Sequence, residues 1–424
     1  MKNANRTTVL VLITATVAGN IWAQDWPQWR GPNRDAKVSG FNAPKTWPQK
    51  LTQKWKVTVG EGVATPALVG DKLFVFSRQE GNEITRCLDA ATGKELWQEK
   101  YETGGVTGPA AQHSGPRSSP TIADGKVVTL GVRGMLSCLD AATGKKLWRK
   151  DDFRAYPQFH PASSPIIVDH LCIAQLGGRE DGAIVAYDLA TGDEKWKWHG
   201  PSPAYASPVL TTVGGTKLIV AQTEAKLVAL EARDGKPAWE AASASPGGGR
   251  GGGRDYKAVT PIVDGQTIIS AGRGIKAVKL EKEGDGFVAK ELWSNPDESV
   301  LFNTPVLKSG LLYGLTQNNE LFCINANNGQ TAWTTPSPAG AAAGGGGGGR
   351  GGRGGGFGSI VDAGPVLLAL TPSSELIVFE PSAKEYKQIA SYKVSETPTH
   401  AHPVVSGNRV FIKDKDSVTL WTVE

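Results

Sequence analysis

LDAATGKELW (88–97) and LDAATGKKLW (139–148) are one ten-residue phrase with a single substitution, 51 residues apart. Variants recur from Asp188 to Trp196, Glu231 to Trp239 and Asn325 to Trp333, each preceded by two apolar runs and a Ser/Thr-Pro dipeptide. A phrase repeated at intervals marks an architecture in which each unit buries its apolar face against the next. The dipeptides are Thr65-Pro66, Ser119-Pro120, Ser164-Pro165, Ser207-Pro208, Thr260-Pro261 and Thr304-Pro305, with degenerate forms read at Gly364-Pro365 and His402-Pro403, which makes eight units.

Each unit reads as four short strands. In the second unit they are SPTIAD, KVVTLGV, MLSCLDA and KLWRKD, β-branched and apolar runs parted by Gly and Asp turns. Four-stranded units of about 40 to 45 residues are the size of propeller blades. The eighth unit stops after SVTLWTVE, its third strand, while LTQKWKVTVG (51–60) precedes the first unit with Trp55 where other units place their tryptophan. Pairing the two ends completes a blade and removes the open edges that invite aggregation. The sequence thus predicts an all-β fold, an eight-bladed β-propeller of four-stranded antiparallel blades over residues 51–424, closed by its N- and C-terminal strands.

Within the phrase, Asp89, Thr92 and Gly93 form the hairpin between the third and fourth strands, where Asp bonds its own turn and Gly accepts a positive φ. The tryptophans Trp55, Trp97, Trp148, Trp196, Trp239, Trp293 and Trp333 follow on the fourth strands. Each is expected to lie flat on the neighbouring blade and bury about 150 Å² or more. Unit seven has lost the motif, with Tyr392 as candidate substitute. Cys87, Cys138 and Cys323 share one repeat position, too far apart across blades to bridge, so buried free thiols are expected.

These residues resemble the PQQ-like propeller repeat, whose AxDxxTGxxxW phrase is the tryptophan-docking motif of quinoprotein alcohol dehydrogenases and recurs in non-catalytic relatives such as the BamB assembly factors. DWPQWRGPNRDAK (25–37) also resembles the opening of many exported bacterial members of this group. The resemblance implies the fold over residues 51–424; for activity it points two ways. The dehydrogenases carry a vicinal Cys-Cys pair beside the quinone and hold calcium or a lanthanide with Glu, Asn and Asp. This chain has no adjacent cysteines, and no local stretch reproduces that constellation. No cofactor is therefore expected, PQQ with calcium being the alternative. BamB is lipid-anchored through an N-terminal Cys, which has no counterpart among Cys87, Cys138, Cys172 and Cys323.

Residues 1–23 have a basic start, an apolar stretch over 7–19 and small residues before Ala23, the pattern of a secretory signal peptide. Its removal takes Lys2 and Arg6 with it, so the net charge of +5 becomes 5 − 2 = +3. A periplasmic or secreted protein is expected, beginning with a lead segment over 24–50. The apolar stretch falls short of a span of about 20 residues and no second candidate follows, so no transmembrane segment is expected in the mature chain. The charge is too low and too dispersed for nucleic acid. No CxxC, GxSxG, HExxH or P-loop motif occurs, which leaves zinc-ribbon, thioredoxin-like, hydrolase, zincin and NTPase readings without support.

In a propeller, the loops entering each first strand share one face, here called the top, with the turns between second and third strands. Those turns supply Arg78, Arg133, Arg179 and Arg273, and the interblade loops add His113, Arg117 and His160. Cations gathered at a channel mouth would form an anion-attracting funnel. Gly-rich tracts at 245–256 and 340–358 are expected as linkers on the same face. His400 and His402 alternate as strand residues do, but two imidazoles fall short of a metal site. The expected function is that of an exported, monomeric, non-catalytic scaffold in the cell envelope, engaging a protein or an acidic or glycan ligand by its top face. The alternatives are a PQQ- or sugar-linked oxidoreductase with an atypical site and an extracellular polysaccharide-binding module.

Overall fold

In the computed structural model, eight sheets form a β-propeller. The structure describes residues 24–111, 113–243, 256–336 and 357–424; the signal-peptide reading and most of the two glycine tracts lie outside them. Blade one is built from Ala67–Val69, Lys72–Gln79, Asn82–Asp89 and Glu95–Glu102, and blade two from Thr121–Ala123, Lys126–Leu130, Leu136–Asp140 and Lys146–Lys150. Blades three, four, six and seven repeat this plan over residues 166–199, 209–242, 306–336 and 359–393. In blade five the second and third strands run together as Thr267–Glu283, bent at Gly274 with φ +87°. The chain folds back on itself there: Leu280 N–H donates to Gln266 O at 2.9 Å, as Ala141 N–H does to Gly125 O at 2.8 Å in blade two. Blade eight joins Val404–Ser406, Arg409–Lys413 and Ser417–Thr422 to Thr52–Thr58, with Trp55 opposite Leu420, so the two ends of the chain close the ring.

The repeated phrase couples blade to blade. Asp140 Oδ1 accepts from Thr143 N–H at 2.8 Å and from its hydroxyl at 2.7 Å, which folds the hairpin and holds the Asp140 carboxyl below its usual range. Trp148, on the fourth strand of blade two, donates Nε1–H to Leu189 O of blade three at 3.0 Å, and its ring lies over Gly192. The same step joins Trp55 to Ala90, Trp97 to Ala141, Trp196 to Ala232, Trp293 to Ala326 and Trp333 to Ser382. Trp239 faces blade five, whose hairpin is elongated, and packs with Val278, Leu280 and Phe287. Opposite the tryptophans across the third strand stand Cys87, Cys138, Ala186, Ala229 and Cys323. All four cysteines are free and buried.

Blade seven differs from the expected register. Gly364-Pro365 lies in the hairpin between Ser359–Asp362 and Leu367–Leu370, so Ser359 takes the opening place and Ile360 the place of proline. Tyr392 does not replace the missing tryptophan either. The strand bulge places Ala390 there, while Tyr392 donates its hydroxyl to Pro48 O at 2.8 Å and packs near Trp47 of the lead segment.

The opening Ser/Thr residues have a role that the dipeptide alone does not reveal. Thr65 N–H donates to Ser119 Oγ, Ser119 to Ser164, Ser164 to Ser207, Ser207 to Thr260 and Thr260 to Thr304, at 2.9 to 3.2 Å. His402 N–H donates to Thr65 Oγ1 at 3.0 Å. A belt of hydrogen bonds thus runs around the channel, each blade holding its neighbour, and it is interrupted where Ser359 Oγ has no partner.

Candidate functional site

The channel inside that belt is filled from below by the lead segment. Trp26 pairs with Leu68 of blade one, Pro27 O accepts from Ile122 N–H of blade two, and Val38 N–H donates to Asp362 O of blade seven. Deeper in, Arg34 donates to Ser164 and Pro165 carbonyls of blade three and to Pro208 O of blade four. Trp29 Nε1–H donates to Thr260 Oγ1 of blade five and its ring meets His402 of blade eight edge-on at 4.7 Å. Arg30 donates to Thr304 O at 2.6 Å and Pro305 O at 2.9 Å in blade six. Residues 26–38 therefore touch all eight blades. Arg30 and Arg34 are 1% and 4% exposed, and burial lowers both guanidinium pKa values from the usual range.

One layer above the belt, at the top face, the mouth is ringed by aromatic side chains. Phe302, Phe357 and His400 stand two residues before Thr304, Ser359 and His402; Tyr205 and Arg117 stand two before Ser207 and Ser119. His113 meets His400 edge-on at 5.2 Å, His400 meets Phe357 at 5.0 Å, and Phe357 stacks on Phe302 at 4.3 Å. Phe302 stacks on Tyr256 at 5.2 Å, and Phe159 bridges Tyr256 to Tyr205 at 5.3 and 6.0 Å. Arg117 completes the circuit. It donates to Ala110, His113 and Gly115 carbonyls and interacts electrostatically with Tyr205. Burial and the His113 ring press the His400 pKa down to about 4, and its buried Nδ1 has no hydrogen-bond partner. Among the described residues, the mouth at neutral pH is thus a half-buried collar of neutral rings with the Arg117 guanidinium bound to backbone.

The charged residues singled out in the sequence divide into groups. Arg117 and His113 belong to the collar. His160 is buried, bonds Val132 O through Nδ1 at 2.7 Å and stacks on Tyr156 at 4.7 Å, with the Arg133 guanidinium 6.0 Å over the same ring. Arg78 donates to Thr103 O and Gly104 O, and Arg133 to Gly105 O, so both brace the segment leaving blade one. Arg179 is exposed on its turn, whereas Arg273, expected on a turn, is exposed within the strand Thr267–Glu283 opposite Ser299. Behind Arg133 lies Glu83, fully buried, which accepts from Val132 N–H and the Tyr101 hydroxyl; burial raises its pKa. Among the described residues no group of three or more His, Cys, Asp or Glu side chains converges to hold a metal.

A family profile described as "Outer membrane protein assembly factor BamB" matches residues 21–197 and 80–335. The chain belongs to this PQQ-like, BamB-type repeat family. Among curated relatives, BamB of Shewanella oneidensis is 22% identical over 293 residues, 66% of this chain and 69% of that protein. BamB of Burkholderia pseudomallei is 26% identical over 293 residues, 68% of this chain and 59% of the relative. The quinohemoprotein alcohol dehydrogenase of Comamonas testosteroni is 26% identical over 182 residues, 41% of this chain but only 25% of the enzyme. The solved structures show the same fold: BamB from Moraxella catarrhalis superposes with a TM-score of 0.63 at 16% identity, over 88% of this chain and 99% of that one. The Comamonas testosteroni dehydrogenase superposes with a TM-score of 0.64 at 15% identity, over 94% and 80%.

Proposed function

We propose that this propeller is a non-catalytic binding scaffold of the cell envelope, and that it engages a partner protein through the aromatic collar of its top face. The observation that carries the reading is the pairing of a channel filled from below with a mouth lined by neutral, half-buried rings. Aromatic side chains supply much of the energy of protein recognition because they bury large areas at low entropic cost. The BamB relatives point to the envelope and to its protein machinery. Placing a photo-cross-linking amino acid at Tyr256 or Phe302, and in parallel at Leu96 or Leu292 on the outer strands, tests this in intact cells. The expected result is one discrete protein adduct from the mouth positions and none from the outer strands. Adducts from the outer strands alone would overturn the assignment. The dehydrogenase relatives favour a second reading, a quinone-dependent oxidoreductase, for which a quinone that binds the folded chain is the required observation.

A further inference from the structure

A Ser/Thr-Pro step has two carbonyls but only one N–H, because proline has none, and the carbonyls of Ser164, Pro165, Pro208, Thr304 and Pro305 face the channel. At Thr65, Ser119, Ser164, Ser207 and Thr260 that N–H is given to the next blade's hydroxyl. The wall at this level is therefore rich in acceptors and poor in donors. The lead segment answers with guanidinium groups. Arg34 bridges two blades by donating to Ser164 O at 3.1 Å, Pro208 O at 2.8 Å and Pro165 O, while its Nε–H is held by Gln28 Oε1 at 2.8 Å. Arg30 donates outward to Thr304 O and Pro305 O and inward to the carbonyls of Arg34 and Asp35. Every acceptor in these bonds is uncharged. A planar fork of five donors can satisfy carbonyls on several sides at once, whereas a lysine ammonium is a compact point charge with three.

We propose that the central channel is a peptide-recognition site for guanidinium-bearing segments, with residues 25–38 as its tethered occupant, and that it accepts the same segment in trans from a second copy of this chain. Arg30 and Arg34 determine the specificity, and Trp29 adds a hydrogen bond and a ring contact. A swapped segment would link two propellers without altering either ring.

The test uses the full chain. A protease site introduced between Lys45 and Thr46, both exposed, is cut after purification, and a fluorescein-labelled synthetic peptide of residues 24–40 is offered to the nicked protein. The expected result is that the cut fragment stays with the ring through gel filtration and exchanges with the labelled peptide. A peptide carrying Arg30→Lys and Arg34→Lys should displace it at least about tenfold less well. If exchange in plain buffer is slow, release in sub-denaturing urea followed by dialysis gives the same comparison. Equal binding of the lysine peptide would overturn the proposal. So would departure of the fragment with an unchanged melting temperature, or collapse of the β-sheet circular dichroism as it leaves, which would make the segment part of the core and not a ligand.

Discussion

Trp148→Ala isolates the contact that couples one blade to the next. The indole is 7% exposed, donates to Leu189 O at 3.0 Å and covers Gly192. Removing a buried aromatic costs about 3 to 5 kcal/mol. For 424 residues, with an unfolding entropy of about 2.1 cal/mol/K per residue, that is a fall of roughly 3 to 6 °C if the ring melts as one unit. Gly192 provides the partner change. Its φ is +77°, and an added Cβ would lie 2.8 Å from Trp148 Cγ. Gly192→Ala in the natural chain meets the left-handed backbone cost of about 1 to 2 kcal/mol and the ring together. In a Trp148→Ala background the clash with the ring is gone and the backbone cost remains, with one contact at 3.2 Å to the Cβ of residue 148. Calorimetric or denaturant unfolding of the four proteins should therefore show a coupling of at least about 1 kcal/mol. Costs that add to within about 0.5 kcal/mol would refute the claim that the ring sits on this glycine.

Three other outcomes follow from particular residues. Because the His400 pKa in the fold is about 4, below the ordinary histidine value of 6.5, the unfolded chain binds more protons between those limits; stability is full above pH 6.5 and lost on acidification, by about 2 kcal/mol between pH 7 and 5 from this group. His400→Phe should flatten that slope in pH-dependent unfolding. Burial pushes the Cys87 thiol up to about 11 and the Cys138 thiol up to about 12, so a thiol reagent should label the native protein only at its rate of global unfolding. Arg78→Ala combined with Arg133→Ala should speed proteolytic cleavage at Gly104 and Gly105 while leaving the melting temperature within about 1 to 2 °C, since the losses are bonds to loop carbonyls and one ring contact at 6.0 Å.

The ring was legible because its rules are local and repeated. A turn aspartate, a left-handed glycine and a tryptophan eight positions past the aspartate report on one hairpin, and a missing strand at one end matched an orphan at the other. Blade seven misled because Gly364-Pro365 imitates the opening dipeptide while the true opener, Ser359, lacks its proline. The channel filling left no periodic signal: Arg34 reaches partners 130 to 174 positions away, and they are backbone carbonyls, which carry no residue signature. The collar was partly within reach. Aligning the units on their Ser/Thr openers puts Arg117, Tyr205, Phe302 and His400 at one position, whereas Phe159 and Tyr256 come from loops of unequal length. Arg78 and Arg133 read as funnel cations because sequence shows a charge and not the Thr103, Gly104 and Gly105 carbonyls that it meets.

Thermal unfolding of the chain with and without PQQ and calcium, followed together with the quinone absorbance, tests the central claim that this ring is a scaffold. A ligand that binds only the folded state must stabilise it, by about 2.7 kcal/mol at one hundred times its dissociation constant. The scaffold reading predicts an unchanged melting temperature and no saturable change in the quinone spectrum. A concentration-dependent rise accompanied by a saturable spectral change would contradict it and make the propeller a quinone-binding protein.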